Sequence, residues 1–165
     1  MKNLNTYLER GKLLLDSYGI EYGYITDISV NTRAKSRWGQ CKRTRDYLGN
    51  YKYSINISNR LVQDDVFDIA LMNTLVHELL HTVEGCFDHT GKWKTLADKI
   101  TNTSELTIKR TDSYEEKGLE KQPKKYAIQC TKCNHVFERD RMSDIIKNPQ
   151  KYRCSCGCEG LVRIR

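Results

Sequence analysis

The sequence has 165 residues, 38% hydrophobic and 30% charged, with a net charge of +7; this is enough chain for one hydrophobic core and a small appendage. No run approaches the roughly 18 apolar residues of a membrane span, and Met1-Lys2-Asn3-Leu4-Asn5 lacks the apolar stretch of a secretory signal. These features argue against a membrane protein or an exported disulfide scaffold, and they make the cytoplasm the expected compartment, with the seven cysteines reduced.

In chain order, Leu4, Leu8, Leu14, Leu15 and Tyr18 recur at helical spacing over residues 4–18, ahead of Gly19. The period then shortens. Ile28-Ser29-Val30-Asn31, Arg37-Trp38-Gly39-Gln40-Cys41 and Tyr53-Ser54-Ile55-Asn56-Ile57 read as three strands, with a turn over residues 46–50. Asp64 or Asp65 is the expected cap of a long helix running to about Glu84 and stopping at Gly85. Ile69, Met72, Leu75, Val76, Leu79 and Val83 mark its core face. The opposite face carries Ala70, Asn73, Thr74, His77, His81 and Glu84, small residues that leave room beside two imidazoles. A further helix begins near Gly91 and carries Trp93, Leu96, Ala97 and Ile100, and Glu105–Lys109 is a candidate strand. The expected organisation is an α+β domain over residues 1–110, a charged linker over 111–124 and a cysteine-rich module over 125–165.

His77-Glu78-Leu79-Leu80-His81 lies on the long helix. Residues four apart share a helix face, so both imidazoles can bind one metal ion. Glu78 sits roughly 100° further round, within reach of water at the metal without being a ligand. There it can take a proton from water and pass it to a leaving amine. A catalytic zinc needs a third ligand and an open position. His89 is the favoured third ligand, with Glu84 and Asp88 as alternatives. Tyr24, Tyr51, Tyr53 and Arg37 are candidates for steadying a developing oxyanion. Tyr53 to Ile57 is the candidate edge for pairing with a substrate peptide.

Cys130-Thr131-Lys132-Cys133 and Cys154-Ser155-Cys156-Gly157-Cys158 place five cysteines in two groups, as in a zinc ribbon. Cys130, Cys133, Cys154 and Cys156 are the favoured ligands, with Cys158 as rival to Cys156. Zn2+ is therefore expected twice, once catalytic and once structural. Residues 109–165 hold 14 Lys+Arg and 8 Asp+Glu, which predicts an anionic partner. Arg33, Lys35, Arg37, Lys42, Arg43 and Arg45 surround Trp38 and are candidate nucleic-acid contacts.

Taken together, the motif His77-Glu78-Leu79-Leu80-His81 with His89, Gly91 and Trp93, followed by a basic zinc ribbon, resembles the SprT-like metalloproteases, the family that includes Spartan. Arg37-Trp38-Gly39-Gln40-Cys41 also resembles an Arg-Trp-Gly-x-Cys strand motif of related minimal zincins. The last cysteine group departs from the C-x-x-C pattern. The resemblance implies a minimal zincin domain, its motif helix packed on a small, mainly antiparallel sheet, followed by the ribbon. It also implies a zinc endopeptidase with His77, His81 and His89 as ligands and Glu78 as base. For Spartan-type members it implies cleavage of a protein or peptide substrate associated with DNA, without a membrane partner. The competing expectation is a non-catalytic nucleic-acid-binding protein whose helix site holds a structural metal.

Overall fold

The computed structural model describes residues 1–34, 36–120 and 123–165, and the chain divides into two compact units, Met1–Glu120 and Lys121–Arg165. Among the described residues no helix is long and apolar enough to cross a membrane. Lys35 lies outside the described residues.

The first unit opens with α1 (Leu4–Ser17), capped by the Asn3 side chain, which accepts the Asn5 N–H at 3.0 Å. Its buried positions, Leu4, Tyr7, Leu8, Gly11 and Leu15, form one stripe. Gly11 lets α1 lie close on the next long helix, because a Cβ there would stand 2.6 Å from Leu79 Cδ1.

Three strands follow: β1 (Tyr24–Asn31), β2 (Gly39–Arg45) and β3 (Tyr51–Ser58). Their spatial order is β1-β3-β2, with β1 parallel and β2 antiparallel to β3. The sheet is thus mixed, and antiparallel pairing is confined to the β2–β3 hairpin. Its turn is fixed by Asp46, whose side chain accepts the Leu48 and Asn50 N–H groups at 2.9 Å. β3 buries Tyr53, Ile55 and Ile57 on one face. It is the central strand, paired along both edges, so Tyr53 to Ile57 is not open to a substrate peptide. The free edge beside the histidines belongs to β2.

The motif helix, α2, is shorter than expected and spans Asp68–Leu80. Phe67 is the N-cap, extended at φ −60° and ψ 136°, and the Ala70 N–H turns to Phe67 O. The Val66 carbonyl, which a helix begun at Asp64 or Asp65 would bond to Ala70, is taken by the Lys2 ammonium, so Asp64 and Asp65 precede the helix rather than cap it. At the other end the Thr82 and Val83 N–H groups bond to Leu79 O and Leu80 O, tightening the chain into turns that reach Gly85 at φ +77°. Ile69, expected in the core, is 38% exposed, whereas Ala70 and Thr74 are buried.

Helix α3 (Lys92–Thr103) buries Trp93, Ala97 and Ile100. Residues 105–109 alternate like a strand, with Leu106 and Ile108 buried, yet they join no sheet. Their amides are taken by side chains instead, Thr107 N–H by Asn73 Oδ1 and Ile108 N–H by Thr101 Oγ1. The stretch expected as a linker packs in the first unit up to Glu120. It makes one 3-10 turn, Glu115–Lys117.

The second unit holds β4 (Tyr126–Cys130), β5 (Val136–Arg139), the single-turn α4 (Asp144–Lys147) and β6 (Leu161–Arg163). Its sheet is antiparallel in the order β5-β4-β6. The buried core is small: Ile128, Cys130, Ile146, Cys154 and Leu161.

Candidate functional site

His77 lies on α2 and His81 caps its C-terminus in the right-handed helical conformation, so the two rings remain one turn apart on one face. Gly85 breaks the direction of the chain, and His89 returns over them. The three Nε2 atoms are 3.3 Å (His77 to His81), 3.0 Å (His81 to His89) and 2.8 Å (His89 to His77) apart. Trp93, the first buried residue of α3, packs against all three rings with centroid distances of 4.9, 5.6 and 4.7 Å.

The outer nitrogens decide which tautomer is present. His77 Nδ1 lies 2.8 Å from Lys109 O, and His81 Nδ1 lies 3.0 Å from Cys86 O. A carbonyl only accepts, so each Nδ1 carries the proton and each Nε2 presents a lone pair. Two such lone pairs 3.3 Å apart repel each other unless a cation lies between them. Burial pulls all three imidazoles below their ordinary pKa, His77 to about 3 with His81 adding to the effect, so the rings are neutral and able to ligate. Nitrogens about 2.0–2.1 Å from zinc in a tetrahedral site stand about 3.3–3.4 Å apart; the His77–His81 pair has that spacing, and the two pairs with His89, at 3.0 and 2.8 Å, are tighter, so His89 would move outward to admit an ion.

Glu78 lies on the neighbouring face of α2, 6% exposed. Burial pushes its pKa up to about 7, opposed by the Cys41 N–H bond to the carboxylate and by Arg37. β2 meets Glu78 closely: a Cβ on Gly39 would stand 2.5 Å from Glu78 Oε1 and 2.8 Å from its Cγ, so any larger residue there displaces the Glu78 side chain. Trp38 O accepts the Ser58 N–H. In the antiparallel alternation, Gly39 and Cys41 therefore turn their own amides away from β3, and the Cys41 N–H bonds to the Glu78 carboxylate.

These groups line one cleft of about 640 Å³, walled by residues 36–41 of the β2 side, by Thr74, His77, Glu78 and His81, by 87–89 and by 109–112. Of the oxyanion candidates only Arg37 lines it. Tyr24 is exposed, Tyr53 is buried under the sheet, and Tyr51 lies under the Arg43 guanidinium at 4.4 Å. Glu84 stands outside the histidine cluster, and Asp88 lines the cleft without joining it.

In the second unit Cys130, Cys133, Cys154 and Cys156 come together, with Sγ atoms 3.7 Å apart (Cys130 to Cys156) and 3.5 Å apart (Cys133 to Cys154). Those distances are far too long for disulfides and near the ~3.8 Å edge of a tetrahedral zinc–thiolate site. The Cys133 N–H leads in drawing Cys130 down to about 6, and the Cys156 N–H lowers Cys154, whereas the neighbouring sulfurs push Cys133 up to about 12 and burial with those sulfurs raises Cys156, so without a cation two thiolates share the protons of two thiols. Cys158 stands apart, accepting the Gly160 N–H at 3.2 Å.

The basic candidates are not gathered into one site. Arg33, Lys42, Arg43 and Arg45 are exposed on the sheet and its connections, and Arg37 is at the cleft rim. Arg43 also lies 4.1 Å over the Phe87 ring. Trp38 is not free to stack on a base. It packs edge-on against Tyr114 at 4.8 Å, and its Nε1–H reaches Asp112 O at 3.2 Å.

Sequence reading missed the backbone groups that orient the site, Lys109 O, Cys86 O and Cys41 N–H, and it missed the packing role of Trp93. Only Gly39, a glycine at the start of a strand, carried a visible signal. No model of a known protein family matches the chain, and no curated protein is significantly similar to it.

Proposed function

We propose that the first unit is a metal-dependent peptidase of the SprT-like kind, with zinc held by His77, His81 and His89 and with Glu78 as the proton-transfer group. The observation that carries this reading is the convergence of three Nε2 atoms within 3.3 Å in a cleft that Glu78 also lines. A divalent metal held there supplies a Lewis acid that acidifies water and polarises a carbonyl.

The chain's own residues account for the rest. Glu78 holds a proton at its carboxylate and can pass it to a departing amine. Its elevated pKa keeps proton uptake and release close in energy, and a dication nearby favours the ionised form. The outer edge of β2 borders the cleft, so an extended peptide can add there as a fourth strand. Cys130, Cys133, Cys154 and Cys156 hold a second zinc that stabilises the ribbon. The exposed cations of the β2–β3 hairpin and the basic 109–165 region support action on proteins bound to nucleic acid.

Casein digestion with and without chelator and DNA tests the proposal. Cleavage that chelator abolishes and added metal restores is the expected result. Intact casein from protein carrying metal at the histidines would instead support a structural metal in a non-catalytic nucleic-acid-binding protein. A second expectation concerns Gly39. Gly39→Ala forces Glu78 aside while leaving the imidazoles in place, so cleavage should fall about 100-fold with metal content unchanged. Wild-type cleavage by this variant would show that the position of Glu78 is immaterial.

A further inference from the structure

We infer that Lys117, which lies in none of the metal-ligating or basic motifs, is a positioning residue for the histidine centre. With Asp112 it fastens the backbone segment that orients His77. The inference rests on the metal site proposed above.

Lys117 is 2% exposed although it comes from a heavily charged stretch. Its ammonium lies 2.5 Å from Asp112 Oδ2, 2.8 Å from Thr74 Oγ1 and 3.3 Å from Ala70 O. An ammonium has three protons to donate, and these partners take all three. A charge this buried is tolerated only when paired and fully hydrogen-bonded, so the side chain is held to one geometry. It fills the space that Ala70 and Thr74 leave along α2. The small residues ahead of His77 thus make room for this lysine, and the open cleft begins at Thr74 and His77.

The consequence for the site runs through the backbone. Asp112 lies three residues after Lys109, whose carbonyl takes the His77 Nδ1 proton. Residues 107–117 form a strap tied to α2 at both ends, by Asn73 Oδ1 at Thr107 and by Ala70 and Thr74 at Lys117. Between those ties, Lys109 O meets His77. Asp112 O also accepts the Trp38 Nε1–H, which joins the strap to the residue before Gly39. Inside the strap, Glu116 pairs with Lys109 and accepts the Ser113 N–H, holding the turn. Without the ammonium, the Asp112 carboxylate loses its cation and the later fastening opens. His77 then loses its fixed acceptor, and its Nε2 is no longer aimed.

Cobalt titration of the full-length protein, followed by visible absorption, tests this. The thiolate centre, with its own charge-transfer band, serves as an internal reference. Lys117→Met is expected to weaken cobalt binding at the histidines about 10–100-fold, the usual effect of losing a ligand's outer partner. It should also change the ligand-field bands and leave the thiolate band untouched. Asp112→Asn should act in the same direction. Leu4→Ala, a core truncation on α1, should lower the melting temperature without altering either cobalt signal. The inference is overturned if Lys117→Met and Asp112→Asn bind cobalt as tightly as the unmodified protein, or lose no more than Leu4→Ala. Should Lys117→Met fail to fold, Asp112→Asn and Thr74→Val decide by the same criterion. If the unmodified protein binds no cobalt through its imidazoles, the metal site itself is refuted. Cobalt bound normally by a protein that cleaves nothing refutes the peptidase reading alone.

Discussion

Replacing Glu78 with Gln is expected to leave the metal content at its wild-type value and to lower peptide hydrolysis about 100- to 10,000-fold, the usual scale of general acid–base catalysis. The side chains have the same shape. A glutamine Oε1 can still accept the Cys41 N–H that now reaches the carboxylate, and it fits against Gly39 as the glutamate does. What disappears is the ability to hold and release a proton. The loss should therefore fall on kcat, with KM little changed. Because burial disfavours the ionised form of Glu78, the substitution should not lower thermal stability. Steady-state cleavage, metal analysis and a melting curve on one preparation check all three points. Wild-type hydrolysis by the variant would remove Glu78 from the mechanism.

The second large effect concerns the other unit. Cys130→Ser is expected to unfold it. The buried core there is Ile128, Cys130, Ile146, Cys154 and Leu161, and two of these five are members of the thiolate cluster. So small an apolar core does not offset the entropy of ordering the chain without a further link, and a metal held by the four clustered cysteines would supply one. Amide exchange read along the chain should show protection lost over Tyr126–Cys130 and Leu161–Arg163, and kept at Ile55 and Leu75, which are fully buried in the first unit. Chelation of the unmodified protein should give the same pattern. Protection of the second unit that survives both treatments would mean its fold does not depend on a metal.

The histidine centre was legible because its determinants are local. His77 and His81 are one helical turn apart, and His89 follows a single glycine break, which favoured it over Glu84 and Asp88 and which the grouping of the three rings bears out. Cys130 and Cys133 are legible for the same reason. The choice between Cys156 and Cys158 was not, because it depends on how the turn at Gly157, with φ +81°, directs each side chain. The extent of α2 was overestimated because its start depends on Lys2, more than sixty residues away, whose ammonium takes the Val66 carbonyl ahead of the Phe67 cap. Polar, charged composition suggested that residues 111–124 form a linker. Lys117 reverses that for the first part, since a lysine reads as solvent-facing until Asp112 and Thr74 are seen around it. The central place of β3 was equally out of reach, because strand order is a long-range property and alternation reports only which face is buried. What makes β2 rather than β3 the open edge beside the histidines is the sheet order, together with the approach of Gly39 to Glu78.

Anomalous diffraction at the zinc edge, from crystals grown with zinc, decides whether the three histidines hold a metal with a free coordination position. One peak is expected about 2.0–2.1 Å from the Nε2 atoms of His77, His81 and His89, with its remaining position open to solvent, and a second among the four clustered cysteines. No peak at the histidines with zinc in excess, or a fourth protein side chain closing that position, would rule out the proposed hydrolytic centre.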